Sequence, residues 1–176
     1  EVVGFDAFDD RRDVLAASGV VLKKGVNPST DLEPEYIAVS GGKAYITLQE
    51  NNAIAVLDLT SRTFDGIYSA GFEDYSVTPI DIDKKDDAYA PRTYGSLMGI
   101  RMPDGIAAFQ VDGKTYLVTA NEGDAREWGD EDLGTFYLNE DERDFGDEGV
   151  TSPTGAITGE NSGLEGKVVF FKTEDF

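Results

Sequence analysis

Apolar and polar residues alternate with a period of two through two stretches of the chain, which predicts β-strands rather than helices. In the first, residues 35–59, the segments YIAVS, GGKAYITL and NAIAVLDL carry Val, Ile and Tyr between turn residues. Gly41-Gly42 predicts a short hairpin connection and Glu50-Asn51-Asn52 predicts the next, so three antiparallel strands follow in series. A fourth is predicted over Thr63–Ser69, after the turn-like Thr60-Ser61-Arg62.

The second stretch, residues 102–120, repeats the plan with GIAAFQV, the turn Asp112-Gly113 and KTYLVTA. Pro34-Glu35 aligns with Pro103-Asp104 at an offset of 69 (103 − 34), and Ile37-Ala38 with Ile106-Ala107 at the same offset. Gly42-Lys43 aligns with Gly113-Lys114 at 71 (113 − 42). Upstream, Asp10-Arg11-Arg12-Asp13 and Asp83-Lys84-Lys85-Asp86 stand before the two stretches in matching places, so each unit reads as an acidic loop followed by a meander.

These units, at about 5–72 and 73–128, exceed the roughly 40–50 residues of common propeller blades, so the acidic loop is expected to be an insertion. A Gly-, Asp-, Glu-, Thr- and Ser-rich tail over 129–166 reads as a surface excursion with one apolar island at 135–138, and KVVFFK over 167–172 reads as a last strand. The fold class expected is all-β: a partial β-propeller of about two to three blades of short antiparallel meanders with long acidic loops. Such an arc leaves apolar faces at both ends, so this single propeller-like segment is expected to belong to a longer chain or to associate with a second piece. The start at Glu1, without Met, fits a mature, trimmed or excised segment.

Charge then narrows the partners. The 176 residues carry 15 Lys and Arg against 35 Asp and Glu, a formal net charge of −20. Nucleic acid, whose binding rests on clustered basic residues, is a poor partner, and an anionic membrane is disfavoured for the same reason. No stretch approaches the roughly 18 apolar residues of a membrane span, so membrane insertion is not expected. Solvation explains most of the acid, with cation binding as the reading of a few local clusters. The chain has no Cys and no His. Thiol chemistry, disulfides, Cys- or His-based zinc sites and Ser-His-Asp or Cys-His arrangements are therefore excluded.

The segments LEPEYIAVSGGKAYITLQENNAIAVLDL and MPDGIAAFQVDGKTYLVTANEGDAREW resemble signature segments of the choice-of-anchor I family. That resemblance covers most of residues 5–128. It implies an exported bacterial protein, extracellular or held at the cell surface, with a propeller fold of seven or a similar number of blades. It also implies association with phosphatase or 5′-nucleotidase modules. The family's loop of the D-x-x-D-x-D-G kind corresponds here to 81–87, with Asp87 standing where glycine is usual.

Two groups of residues are candidates for a site. Asp81, Asp83, Asp86 and Asp87 would supply the oxygens that calcium prefers, although the loop fails as an EF-hand because Lys85 replaces an acidic ligand and Arg92 the closing Glu. The alternative is a solvated loop neutralised by Lys84 and Lys85. Asn121, Glu122 and Asp124, directly after a strand, would present oxygens at a channel mouth, with Arg126 gripping an anion; the alternative is a Gly-containing turn with an Asx-type hydrogen bond. Gln49-Glu50-Asn51-Asn52 holds the matching place in the first repeat, where a hairpin turn is the stronger reading. Trp128 and the tyrosines are expected to pack between blades.

The function expected is a secreted or cell-surface propeller module with a binding or scaffolding role and calcium as its candidate ligand, its partners being the remaining blades or an adjoining phosphatase or nucleotidase module. The rival is a metal-dependent, alkaline phosphatase-like phosphomonoesterase, in which Glu122, Asp124 and Arg126 would be the first residues to suspect. No catalytic residue is identified, and the segment alone is not expected to be an enzyme.

Overall fold

The computed structural model describes residues 2–81, 88–95 and 97–123 with their side chains, and the backbone of 127–128, 137–138, 141–145 and 166–170. The chain divides into two compact units, one built from Glu1–Gly71 and Ile100–Asp124, the other from Phe72–Gly99 and Ala125–Asp175. It is predominantly β, in several antiparallel sheets, with no closed barrel among the described residues.

In the first unit, β1 (Ile37–Ser40), β2 (Lys43–Leu48), β3 (Ala53–Asp58) and β4 (Thr63–Ser69) form one antiparallel sheet in chain order. The β1–β2 connection takes positive φ at Gly41 (60°) and Gly42 (77°), the conformation of a two-residue hairpin that glycine adopts without steric cost. Ile37, Ile46, Ala55 and Ile67 stand opposite one another across the four strands and so share one face; Ala38, Tyr45, Val56 and Gly66 share the other. The alternation noted in the sequence is thus the alternation of the two faces.

The first face is covered by a segment the alternation did not predict. Asp6–Arg11 is a 3-10 helix that runs directly into α1 (Arg12–Ala17), and Pro28–Asp31 forms the short α2. The acidic loop expected around Asp10-Arg11-Arg12-Asp13 is therefore helical. The reason lies in Phe5, Phe8 and Leu15, whose spacing places them on one side, all buried against Ile46, Leu48 and Ile67 of the sheet. Phe5 stacks on Phe64 with ring centroids 4.6 Å apart, and Phe8 meets Phe64 edge-on at 6.0 Å.

Polar side chains hold this cover in place. Asp9 accepts the Ser29 N–H at 2.8 Å and the Ser29 hydroxyl at 2.9 Å, supplying α2 with the cap that Asn27 does not give. Arg12 donates to the carbonyls of Leu22 and Lys23, and the buried Asp31 accepts the Lys23 N–H at 2.7 Å.

The second repeat gives a long hairpin, β7 (Pro103–Val111) and β8 (Lys114–Asn121), whose turn has positive φ at Asp112 (50°) and Gly113 (74°). Strand β7 lies against β1 and β2. A Cβ built on Gly41 would stand 3.2 Å from Gln110 Nε2 and 3.7 Å from Thr115 Oγ1, so the inward face of the hairpin is the one shared by Gln110 and Thr115. On the sheet, Ala38 and Ser40 are partly covered whereas Ile37 and Val39 are 62% and 61% exposed, which identifies the Ala38–Tyr45 face as the one under the hairpin.

In the second unit, β5 (Phe72–Asp74) pairs with β6 (Met98–Ile100). The ladder is extended by Tyr75 N–H to Leu97 O at 3.0 Å and by a bridge between Ile80 and Arg92. A Cβ on Gly99 would come within 2.7 Å of the Tyr75 ring, so this position admits only glycine without a shift. Strands β9 (Glu127–Trp128) and β10 (Tyr137–Leu138) pair with each other, as do β11 (Asp141–Phe145) and β12 (Gly166–Phe170). The strand expected at 167–172 corresponds to β12; β10 falls on the apolar island at 135–138, and both β10 and β11 lie where a surface excursion was expected.

Candidate functional site

The two matching strand ends singled out in the sequence come together in the first unit. Gln49, in the β2–β3 turn, donates through Nε2 to Glu122 Oε2 at 3.4 Å, bridging the end of the first meander and the end of β8. Gln49 is buried and Glu122 is exposed, so the pair marks the margin of the strand ends rather than an enclosed pocket. The Glu122 N–H donates to the Met102 carbonyl at 3.2 Å, and Asn121 Oδ1 accepts the Thr119 hydroxyl at 2.8 Å. Gly123, the next residue, has φ 65°.

Asn51 and Asn52 are both 0% exposed. Asn51 donates to the carbonyls of Val21 (2.8 Å) and Asp31 (3.3 Å) and accepts the Glu33 N–H at 3.1 Å. Asn52 donates to Gly71 O at 3.1 Å and Gly19 O at 3.5 Å and accepts the Met102 N–H at 3.1 Å. Their oxygens point inward and already serve N–H groups, as buried polar atoms must. The hairpin-turn reading of this pair therefore holds, with a further task that the sequence did not signal: each side chain pins chain segments that come from elsewhere in the fold.

Met102 was not a candidate. It is fully buried with φ 47°, an uncommon conformation for a residue with a long side chain, and it is held by Asn52 on its N–H and by Glu122 on its carbonyl. No sequence signal marks a non-glycine residue for that conformation.

Of the proposed calcium ligands, Asp81 lies in the second unit, where its Oδ2 accepts the Ala90 N–H at 2.9 Å. Asp83, Asp86 and Asp87 lie outside the described residues, as do Asp124 and Arg126. Among the described residues no three acidic side chains converge on a point where a metal ion would sit.

Two carboxylates, the half-buried Asp58 and the exposed Asp74, depart from their ordinary behaviour for structural reasons. Asp58 is held below the usual carboxylate range by the N–H groups of Ser61 and Thr60, both at 2.8 Å, and Asp74 is lowered by its hydrogen bonds with Ser76. Both are Asx-type turns in which the charged side chain closes the bend. In the opposite direction, hydrogen bonding and charge from Asp65 at 2.5 Å raise Lys43.

Among the described residues no helix is long and apolar enough to cross a membrane. No curated protein and no solved structure shows significant similarity to the chain. Residues 1–162 match the choice-of-anchor I domain, and with that match spanning most of its length, the chain belongs to the choice-of-anchor I domain family.

Proposed function

We propose that this chain is a sector of a surface-held β-propeller that serves as a binding or scaffolding module rather than as a self-contained catalyst. The observation that carries this reading is the stacking of repeat-related elements: β7 lies against β1, its sequence counterpart in the first meander, and against the neighbouring β2. Radial stacking of successive antiparallel meanders is the plan of a propeller. In this reading the units near 5–72 and 73–128 are neighbouring sectors. The family match supports surface association, and the net charge of −20 fits a solvated exterior.

Calcium and a phosphatase or nucleotidase partner are finer parts of the same proposal. Calcium is supported by the acidic residues 81–87 and by Glu122 and Asp124. The partner is supported only by the resemblance of the signature segments. The test of the main reading is accessibility on intact cells of origin. An antibody against the chain, or an added protease, should reach the protein without lysis. Detection only after lysis would contradict a surface role.

A further inference from the structure

The chain holds three Asp-Gly steps, at 65–66, 104–105 and 112–113. Glycine after aspartate offers the least hindered backbone nitrogen for attack on the aspartate carboxyl carbon, the reaction that turns an aspartyl link into an isoaspartyl one. Closing that ring needs the backbone of both residues to rotate, so the setting of each step decides whether it reacts.

Asp65-Gly66 is held on several sides. It lies within β4, where Gly66 pairs with Val56 across the ladder. The Asp65 carboxylate meets Lys43 Nζ at 2.5 Å, and the Tyr68 ring lies so close over Gly66 that a Cβ there would stand 3.0 Å from it. Asp104-Gly105 lies inside β7, half-buried, directly after the enclosed Met102 and Pro103. Proline fixes its own φ, and Met102 is bonded through both its N–H and its carbonyl, so the backbone entering Asp104 is anchored.

Asp112-Gly113 differs in each respect. The two residues form the tip of the β7–β8 hairpin, at φ 50° and 74°, and both are exposed. A Cβ on Gly113 would meet nothing within 4 Å. Among the described residues neither the Asp112 carboxylate nor the Gly113 N–H has a hydrogen-bond partner. Asp58, at the β3–β4 turn, is the contrast, since its carboxylate accepts the N–H groups of Thr60 and Ser61.

We infer that Asp112-Gly113 is a modification site at which isoaspartate forms spontaneously, and that the modification loosens the tip of the β7–β8 hairpin. The Gly113 nitrogen, its proton lost to solvent, bonds to Asp112 Cγ, and a carboxyl oxygen leaves as water. The five-membered succinimide then takes up one water. Opening at Cγ restores aspartate; opening at the α-carbonyl leaves the backbone running through Cβ and Cγ. Mass is unchanged, but the backbone between Val111 and Lys114 gains one carbon. A two-residue turn fixes the register of its strands, so the Val111–Lys114 pair is the first to be lost. This inference is independent of the sector reading.

The test incubates the 176-residue chain at neutral pH with gentle warming, folded and in urea. Electron-transfer fragmentation of its tryptic peptides separates isoaspartate from aspartate at each position. In the folded chain isoaspartate should accumulate at 112 severalfold faster than at 65 or 104, and in urea that preference should vanish. Asp112→Glu should abolish the product at 112, and the purified isomer should exchange its Lys114 amide severalfold faster than the parent. Earlier product at 65 or 104, or none at 112 in the folded chain, overturns the site. A preference that persists in urea belongs to the neighbouring residues rather than to the turn and overturns it too. A Lys114 amide exchanging at the parent's rate overturns the effect on the hairpin.

Discussion

The side-chain oxygen of Asn52 accepts the backbone N–H of Met102 at 3.1 Å across a sequence separation of 50, and both residues are fully buried. That bond ties the turn of the first meander to the residue that enters the second hairpin. Because Met102 holds φ 47°, the same contact fixes a backbone conformation that the residue would rarely choose by itself.

Asn52→Ala should destabilise the first unit by about 2–3 kcal/mol, since it leaves buried donors and acceptors without partners. Asn52→Gly keeps a residue at ease with φ 50° but removes the same side-chain bonds. If urea unfolding shows the two variants alike, the hydrogen bonds account for the loss. A Gly variant as stable as the parent would assign it to backbone strain instead.

Gly41 and Gly42 separate turn strain from sheet packing. Both have positive φ, but only at Gly41 would a Cβ meet the second hairpin, 3.2 Å from Gln110 Nε2. Each Ala substitution should cost about 1 kcal/mol from backbone strain, with Gly41→Ala costing more than Gly42→Ala. Gln110→Ala should abolish that difference. Equal losses in thermal melts would mean that the hairpin does not rest on this turn.

Acid should weaken the fold partly through Asp58 and Asp74. Their folded-state pKa values lie below the ordinary 3.8, so their contribution is present above that value and is lost as pH falls through the lowered folded value. Lys43 has the opposite sign: its raised pKa gives a contribution present below 10.5 and lost as pH rises through the folded value. Carboxyl NMR titration should place both aspartates below 3.8, and Asp58→Asn should abolish its share of the acid-side loss.

If calcium occupies the acidic loop, millimolar calcium should raise the melting temperature, a chelator should reverse the rise, and Asp81→Asn should reduce it. An unchanged melting temperature removes calcium from the proposed function. Hydrolysis of p-nitrophenyl phosphate with calcium, magnesium or manganese should be absent; turnover that follows the purified chain would favour the phosphomonoesterase reading.

The strands of the first unit were legible because period-two alternation and Gly-Gly or Asp-Gly turns are local signals, and β1 to β4, β7 and β8 appear where they predict. The cover formed by Phe5, Phe8 and Leu15 was not. Its acidic residues read as a loop, while its helical character comes from packing on the sheet. At the strand ends, the sequence marks Gln49-Glu50-Asn51-Asn52 and the segment around Glu122 as equivalent places, and the contact between Gln49 and Glu122 is visible in the structure alone. Whether an asparagine oxygen faces an ion or an N–H depends on segments distant in sequence, which is why the inward turn of Asn51 and Asn52 needed the structure. Met102 was silent, because nothing local signals a positive φ at methionine.

The claim on which the account turns is that the second hairpin lies on the Ala38–Tyr45 face of the first meander. The most direct measurement is a nuclear Overhauser cross-peak between the Gly41 α-protons and the side chains of Gln110 and Thr115 in the labelled protein. The account predicts these cross-peaks, together with slow hydrogen exchange at the Met102 amide. Their absence, with Met102 exchanging at the rate of an open loop, would contradict it.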